Sequence, residues 1–220
     1  MKIISWEHLI DRDPQGTNGL YTETPEYSAV HADVIQAIGN TVWPPDSDRF
    51  TIYPESGKKR GMGNGVTPIK LGFTTTLVEL GWTLEKRAPR ATNEEAKSLR
   101  GSRPGAFDCH FEFPNERISP FVVEWETGNI ASSHRAVNRI GLGIHKGYVS
   151  GGLLIVPSNK LAPYLTDRIG NPRELRPYHD IWKQWTSTEV AYFGIIAVEH
   201  DDESFDVPKV PKGTDGRAAR

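Results

Sequence analysis

Two glutamates stand two residues apart in VVEWETGN (122–129), a run of β-forming residues that ends at a glycine and an asparagine. Side chains alternate faces along a strand, so Glu124 and Glu126 point to one side, about 7 Å apart, while Trp125 points to the other. Asp108, in the apolar run FDCHFEF, joins them if the two strands pair. Convergent carboxylates repel one another, and a divalent cation bound through oxygen relieves that repulsion. The pattern predicts a metal-dependent phosphodiesterase site, although the exposed face of an amphipathic strand fits the pattern alone equally well.

The acidic strand leads directly into a predicted helix. Asn129 is suited to cap its N-terminus, and the apolar residues Val137, Ile140 and Ile144 recur at helical spacing. Free N–H groups at a helix N-terminus favour a phosphate lying beside the metal. Polar side chains early in this helix are placed to reach such a ligand: Ser132, Ser133, His134 and Arg135.

The periodicity of apolar residues indicates the elements that must position these groups. It predicts helices at 30–39, 70–80, 130–146 and 160–169, and strands at 106–113, 121–126, 152–156 and 190–198. The continuous apolar run GGLLIVPS is typical of a strand buried on both faces. Strands that alternate with helices predict an α/β fold with a mixed central β-sheet flanked by helices on both faces.

Several ordered segments resemble one known family. They are VWPPDSDRFTI (42–52), NGVTPIK (64–70), WETGNIASSHRAVNRIGLGIHKG (125–147), LAPYLTDRIGNPRELRPY (161–178) and VPKVPKGTDG (207–216). These segments are similar to BamHI-like type II restriction endonucleases, a branch of the PD-(D/E)xK superfamily in which the last lysine is a glutamate. Here that signature reads Asp108, then Glu124-Trp125-Glu126. The resemblance covers most of the chain and implies a PD-(D/E)xK restriction-endonuclease-like core.

The resemblance also implies catalytic roles. Asp108, Glu124 and the main-chain carbonyl of Trp125 fall on metal ligands, and Glu126 falls on the general base or water-orienting group. A further family glutamate falls on Glu85. The implied cofactor is Mg²⁺, for which Mn²⁺ can substitute, and it polarises the scissile phosphate. The implied reaction is hydrolysis of DNA at a palindromic site, with GGATCC as the expected sequence and 5′-phosphate ends.

Other family positions contact double-stranded DNA. They fall on Asn129, Ala131, Arg135, Asp167, Arg168, Lys70, Asp215 and Gly216. Arginine binds guanine O6 and N7 with two hydrogen bonds, and aspartate accepts from cytosine N4. Ala131 stands where the family has a base-contacting serine, so one direct hydrogen bond is absent or replaced by water. Without the resemblance, Asp167 and Arg168 would be interpreted as a surface salt bridge.

A palindromic site implies a homodimer, and a restriction–modification system implies a cognate DNA methyltransferase as a further partner. We expect one nuclease domain over 1–200, interrupted relative to the family by a charged insertion at 87–103. The polar residues 201–220 are expected to form a C-terminal arm that becomes ordered on DNA binding.

Composition agrees with this interpretation without establishing it. A chain of 220 residues with 37% hydrophobic residues suits one domain with a sizeable core. The net charge of −2 is unusual for an indiscriminate nucleic-acid binder, but clustered basic residues can still give one positive face. Cys109 is the single cysteine, which excludes an intramolecular disulfide and favours a reducing cytoplasm. The sequence shows no signal peptide and no run that would span a membrane.

Two other classes of function remain open from the sequence. One is a catalytically silent or regulatory sequence-specific DNA-binding protein on the same fold. The other is a hydrolase that uses a carboxylate pair on sugars, but two acids on one strand cannot flank a glycosidic bond from opposite sides. The complete set of carboxylates favours the nuclease.

Overall fold

The computed structural model describes residues 1–12, 19–59, 61–89, 104–165, 169–185 and 191–212. Its strands are β1 (Lys2–Arg12), β2 (Thr51–Ile52), β3 (Thr83–Arg87), β4 (Ala106–Phe111), β5 (Phe121–Trp125), β6 (Gly151–Pro157), β7 (Ala191–Glu199) and β8 (Asp202–Glu203). Its α-helices are α1 (Pro25–Gly39), α2 (Thr67–Glu79), α3 (Ile130–His145), α4 (Pro172–Leu175) and α5 (His179–Trp182). Short 3₁₀ turns occupy Tyr21–Glu23, Ala162–Tyr164 and Arg176–Tyr178.

A mixed six-stranded sheet forms the centre of the fold, in the order β1-β7-β6-β5-β4-β3. The strands β5, β6 and β7 are parallel, whereas β1, β4 and β3 each pair antiparallel with a neighbour. A separate pair, β2 and β8, is parallel. The predicted mixed sheet is therefore confirmed.

Hydrophobic residues pack on both faces of this sheet. One core cluster joins the sheet to α1 and α2, and a second joins it to α3, α4 and α5. The strand β6 contributes Leu153 and Ile155 to the first cluster and Leu154 and Val156 to the second. This confirms the prediction of a strand buried on both faces. In the described ranges, no helix is both long enough and apolar enough to cross a bilayer.

Most of the predicted elements are present. The predicted strands correspond to β4, β5, β6 and β7 within two residues at each end. The helices α1 and α2 begin earlier than predicted, because Pro25 and Pro68 occupy first-turn positions where a missing N–H leaves no hydrogen bond unmade. The predicted cap is confirmed, since the side chain of Asn129 accepts a 3.2 Å hydrogen bond from the N–H of Ser132.

The prediction of a helix at 160–169 is wrong for the residues of this range that the structure describes. Residues Ala162–Tyr164 form a 3₁₀ turn instead. The carbonyl of Pro163 accepts from the N–H of Gly57, and the carbonyl of Tyr164 accepts from Asn64. These carbonyls are used by a neighbouring loop, so they are not available to continue a helix.

The sequence pattern did not reveal β1 or β3. Every residue of β3 is exposed, so the strand has no apolar alternation. In β1 the fully buried residues, Leu9 and Ile10, are adjacent rather than alternating. Pairing with β7 and β4, respectively, is what makes these segments strands.

The first part of the predicted C-terminal arm packs against the domain. Val210 is buried in the first core cluster, and its carbonyl accepts from the N–H of Gly65 at 2.8 Å. The N–H of Val210 donates to Asn64, and the carbonyl of Pro208 accepts from the indole of Trp43. Residues 213–220 lie outside the described ranges, so the prediction of ordering on DNA binding remains a prediction for them.

We expect Gly65→Ala to lower the free energy of unfolding by roughly 1–3 kcal/mol, because overpacking against main-chain atoms forces the backbone to move. A Cβ at this position would lie 1.9 Å from the carbonyl oxygen of Pro211. Chemical denaturation followed by circular dichroism measures the change. The matched control is Gly39→Ala in α1, where the added Cβ meets no atom within 4 Å apart from those of its chain neighbours and its own helix backbone. Equal stability of the two variants would contradict the close packing of the C-terminal segment.

Candidate active site

The strands β4 and β5 separate where the acidic residues stand. Their paired residues run from Phe111 and Phe121 to Cys109 and Val123, and pairing stops there. Asp108 and Glu124 are the next residues on the two strands. The main-chain N–H of Trp125 donates to Oδ2 of Asp108 at 2.9 Å. The carboxylate of Asp108 therefore accepts a hydrogen bond beyond the end of the β4–β5 ladder, and the two strands open into a cleft there.

Glu85 lies on the other side of Asp108. In the β3–β4 pair, Leu84 faces Cys109 and Lys86 faces Phe107, so the register puts Glu85 opposite Asp108. Its φ of 53° lies in the left-handed region, where a residue other than glycine is strained. Glu85 also lines the cleft. The structure thus brings this predicted catalytic residue to the acidic site.

The cleft has a volume of about 630 Å³ and carries both signs of charge. Its acidic lining residues are those predicted from the sequence, and its basic ones come from α2 and α3. Together they are Glu85, Asp108, Glu124, Glu126, Lys70, Arg135 and Arg139. An opening of this size between acids and helix termini can admit a phosphodiester and a cation.

Lys70 balances the charge of Asp108. Its Nζ lies 2.7 Å from Oδ1 of Asp108. Burial by itself lowers the pKa of Lys70, but the charge and hydrogen bond of Asp108 outweigh burial, and the pKa stands above its ordinary value. The resemblance implies that Lys70 lies near DNA, and the structure places its ammonium group on a carboxylate of the predicted metal site.

Arg139 balances the charge of Glu124. Its Nη1 lies 2.7 Å from Oε1 of Glu124, whose side chain is only 1% exposed. Arg139 was not among the site residues predicted from the sequence. Its spacing could have indicated a place at the site, because Arg139 follows Arg135 by four residues and therefore lies on the same face of the helix.

Burial changes the acidity of the two glutamates on this strand. Burial, and then the charge of Asp108, raises the pKa of Glu124 to about 8, although Arg139 offsets part of the effect. The same two causes raise the pKa of Glu126 to about 7, and Lys70 lowers it in part. Both carboxyl groups therefore need added positive charge to be fully ionised near neutral pH.

The donor atoms fit a hard divalent cation. Carboxylate oxygens of Asp108 and Glu124 flank the point where the strands separate, and oxygen is the ligand that Mg²⁺ prefers. The N–H of Trp125 points to Asp108, and in a strand the carbonyl of a residue points to the same side as its N–H. Among the described residues, no three His, Cys, Asp or Glu side chains are close enough to form a metal site by themselves. The geometry suits two carboxylates completed by a main-chain oxygen and water, and not the three convergent carboxylates expected from the sequence.

The start of α3 lies over the carboxylate of Glu126. A Cβ built on Gly128 would lie 3.3 Å from Oε2 of Glu126 and 3.3 Å from Oγ of Ser132. Ala131 and Arg135 are exposed on the following turns, and Arg135 lines the cleft. These predicted DNA-contacting residues therefore share the helix that begins at the acidic site.

Four other predicted DNA-contacting residues lie outside the described ranges: Asp167, Arg168, Asp215 and Gly216. Asn129 is described, and its side-chain oxygen is used as the cap of α3. Its amide nitrogen is a donor that the capping bond does not use. The single cysteine, Cys109, is buried, as expected for a core residue.

Two known proteins and one family model are similar to this chain in sequence. Residues 1–217 match a family model described as restriction endonuclease BamHI. The chain is 40% identical over 188 residues to the type II restriction enzyme OkrAI of Oceanobacter kriegii, which covers 86% of this chain and 88% of that protein. It is 34% identical over 190 residues to the type II restriction enzyme BamHI of Bacillus amyloliquefaciens, which covers 86% of this chain and 82% of that protein.

A solved structure shares the fold at low sequence identity. The crystal structure of restriction endonuclease BglII complexed with a DNA 16-mer superposes with a TM-score of 0.57 and 9% identity, over 91% of this chain and 79% of that one. The restriction-endonuclease-like core expected from the sequence is thereby confirmed.

We expect the stability of the metal-free protein to fall between about pH 5 and pH 7 through Glu126. The unfolded chain releases this proton near 4.5, whereas the folded protein retains it to about pH 7. Between these values the folded state binds more protons, so the free energy of unfolding falls as the pH rises. Glu126→Gln removes the titrating group and with it this fall in stability. Between about pH 5 and pH 7, the free energy of unfolding of the variant relative to that of the unmodified protein should rise by at most about 1.4 kcal/mol per pH unit.

Denaturation with urea in EDTA at several pH values measures this difference. The matched control is Glu116→Gln, in an exposed loop. Parallel stability curves for the unmodified protein and Glu126→Gln would show that the carboxyl group is not perturbed as described.

Proposed function

We propose that this chain, which belongs to the BamHI family of restriction endonucleases, cleaves double-stranded DNA at a palindromic site by hydrolysis of phosphodiester bonds. The proposed site is GGATCC, and the proposed products carry 5′-phosphate ends. One observation carries the proposal: the acids Asp108, Glu124 and Glu126 line one cleft, which opens where the pairing of β4 and β5 stops and which the first turns of α3 also line.

The proposed cofactor is Mg²⁺, with Mn²⁺ as a substitute, held by Asp108, Glu124 and the carbonyl of Trp125. When bound, the ion would supply Lewis-acid polarisation of the scissile phosphate. Glu126 accepts a proton from the attacking water and orients that water. Its pKa of about 7 suits this role, because a general base works best when its pKa lies near the working pH. Glu85 completes the acidic lining opposite Asp108.

Base recognition is proposed for the first turns of α3. Arg135 is exposed and faces the cleft, so its guanidinium group can reach a guanine held over the acids. The amide of Asn129 can donate to a base acceptor while its oxygen caps the helix. The roles of Asp167, Arg168, Asp215 and Gly216 remain proposals that rest on the sequence resemblance. Lys70 can serve both Asp108 and a nearby phosphate.

The proposed assembly is a homodimer, because a two-fold symmetric DNA site is matched by a two-fold symmetric protein. Apolar side chains are exposed along α3 and α5, at Leu142 and Ile181. A surface cleft of about 470 Å³ is lined by Leu142, His145 and Trp185. Exposed apolar surface of this kind supports a protein–protein contact. A cognate DNA methyltransferase is the further proposed partner of the restriction–modification system.

The alternative is a DNA-binding protein that has no catalytic activity. Buried acids beside a phosphate weaken DNA binding by repulsion, so a protein that only binds DNA would gain nothing from them. The intact set of carboxylates therefore supports the nuclease.

Three substitutions test the catalytic assignment. Asp108→Ala, Glu124→Ala and Glu126→Lys should each abolish cleavage of plasmid DNA in Mg²⁺. The first two remove proposed ligands of the cation, and the third removes the proposed general base, which alone contributes about 10²–10⁴-fold. DNA binding should survive in Asp108→Ala and Glu126→Lys, because removing negative charge near phosphates does not weaken attraction. Gel shifts in Ca²⁺ measure binding, and Glu116→Ala is the control. Undiminished cutting by any of the three variants would exclude that residue from the active site.

Specificity is tested on the first turns of α3. Arg135→Ala should lose about 1–3 kcal/mol of discrimination at the base pair that it reads. Ala131 is exposed, so a serine fits there without displacing other groups. Ala131→Ser should tighten selectivity at one base pair and leave the others unchanged. Sequencing of the ends cut from a library of GGATCC and its single-base variants measures both effects, and a library cut without preference would refute the assigned base-reading roles.

A further inference from the structure

Arg139 has more contacts around the acidic site than charge balance requires. Its Nη1 donates to Oε1 of Glu124 at 2.7 Å and also to the carbonyl oxygen of Ala106. Its Nε donates to the carbonyl oxygen of Pro104 at 2.9 Å. The guanidinium carbon lies 5.9 Å from the centre of the Phe107 ring. One side chain of α3 therefore joins a predicted metal ligand on β5 to the main chain that enters β4.

Both partners of this ion pair are held away from solvent. The side chain of Arg139 is 10% exposed and that of Glu124 is 1% exposed. Arginine carries its donors in a rigid planar fork, so several hydrogen bonds fix its orientation and, with it, the orientation of the carboxylate that it contacts. The carboxylate of Glu124 cannot rotate without breaking the bond to Arg139.

The same helix carries the residues proposed to read DNA. Arg135 lies one turn before Arg139, on the same face of α3, and both residues line the cleft. Asn129 caps this helix at the edge of the site. Arg139 therefore connects the helix that is proposed to read DNA to β4 and β5 of the sheet.

We infer that Arg139 is a positioning residue, which fixes the carboxylate of Glu124 for the divalent ion and links that carboxylate to the base-reading helix. The inference rests on the proposed nuclease function. Repulsion of the cation by Arg139 predicts the opposite effect on metal binding, because a positive side chain beside a cation site repels the cation. The direction of the change on removing Arg139 therefore distinguishes positioning from repulsion. The charge of Arg139 also helps to ionise Glu124, and Arg139→Lys, which keeps that charge, would bind Tb³⁺ like the unmodified protein if this were its whole role.

Binding of Tb³⁺ to the DNA-free protein provides a measurement that does not depend on cleavage. Trp125 lines the cleft, so excitation of its indole is expected to sensitise the luminescence of a lanthanide bound there. Arg139→Met should raise the half-saturating Tb³⁺ concentration roughly 10-fold or more, as is usual when a residue that orients a ligand is removed. Tighter binding of Tb³⁺ by Arg139→Met would overturn the inference.

Arg139→Lys separates geometry from charge. Lysine keeps the positive charge, but a single ammonium group cannot reproduce the fork that reaches Glu124, Ala106 and Pro104 together. Its half-saturating concentration should lie between those of the unmodified protein and Arg139→Met. The matched control is Arg117→Met, which removes an exposed arginine from a loop and should leave Tb³⁺ binding unchanged. Equal weakening by Arg117→Met would overturn the inference.

Cleavage and DNA binding are then measured separately. In Arg139→Met the single-turnover cleavage rate in Mg²⁺ should fall about 10–100-fold, while affinity for GGATCC DNA in Ca²⁺ stays within about two-fold. A parallel loss of DNA affinity and melting temperature would show a merely structural role and overturn the inference. If Arg139→Met does not fold, Arg139→Lys carries the same comparison. If the unmodified protein binds Tb³⁺ but cuts no DNA, the nuclease proposal fails, and the Tb³⁺ series still decides whether Arg139 positions Glu124.

Discussion

The site depends on one constraint: carboxylates gathered at the open end of two strands must be balanced by positive charge. Asp108 and Glu124 follow the last paired residues of β4 and β5, and each is bonded to a cationic side chain from a different helix. Lys70 of α2 and Arg139 of α3 belong to helices that pack on opposite faces of the sheet. The acidic cleft is therefore held from both sides, and its charge balance is part of what fixes the helices relative to the sheet.

Sequence could predict the local features of this site. The alternation around Glu124, the buried run of β6 and the cap at Asn129 each depend on residues that are neighbours in the chain. The pairing of Lys70 with Asp108 and of Arg139 with Glu124 depends on contacts between distant segments, which no local periodicity encodes. The placement of Glu85 depends on the register of β3, an exposed strand that has no apolar alternation.

The wrong helix at 160–169 has a related cause. Its apolar spacing resembles that of a helix, but its carbonyls bond to a loop that lies about 100 residues earlier, as in the contact between Asn64 and Tyr164. Tertiary hydrogen bonds thus override a local pattern in the same region that supports the C-terminal segment. Residues 53–59 and 61–65 accordingly have two structural roles. They bond to the carbonyls of the 3₁₀ turn that follows β6, and they bond to Val210 immediately before α2 begins.

The burial of Val210 has a consequence for biosynthesis. This residue completes the core beneath α1 and α2, although the other members of that core come earlier in the chain. A ribosome releases residue 210 about 140 residues after residues 64–70, so the segment before α2 lacks this packing partner while the intervening residues are being synthesised. A nascent chain can form the sheet and both helices before then. The packing next to α2, which carries Lys70, is therefore completed only after residue 210 has emerged.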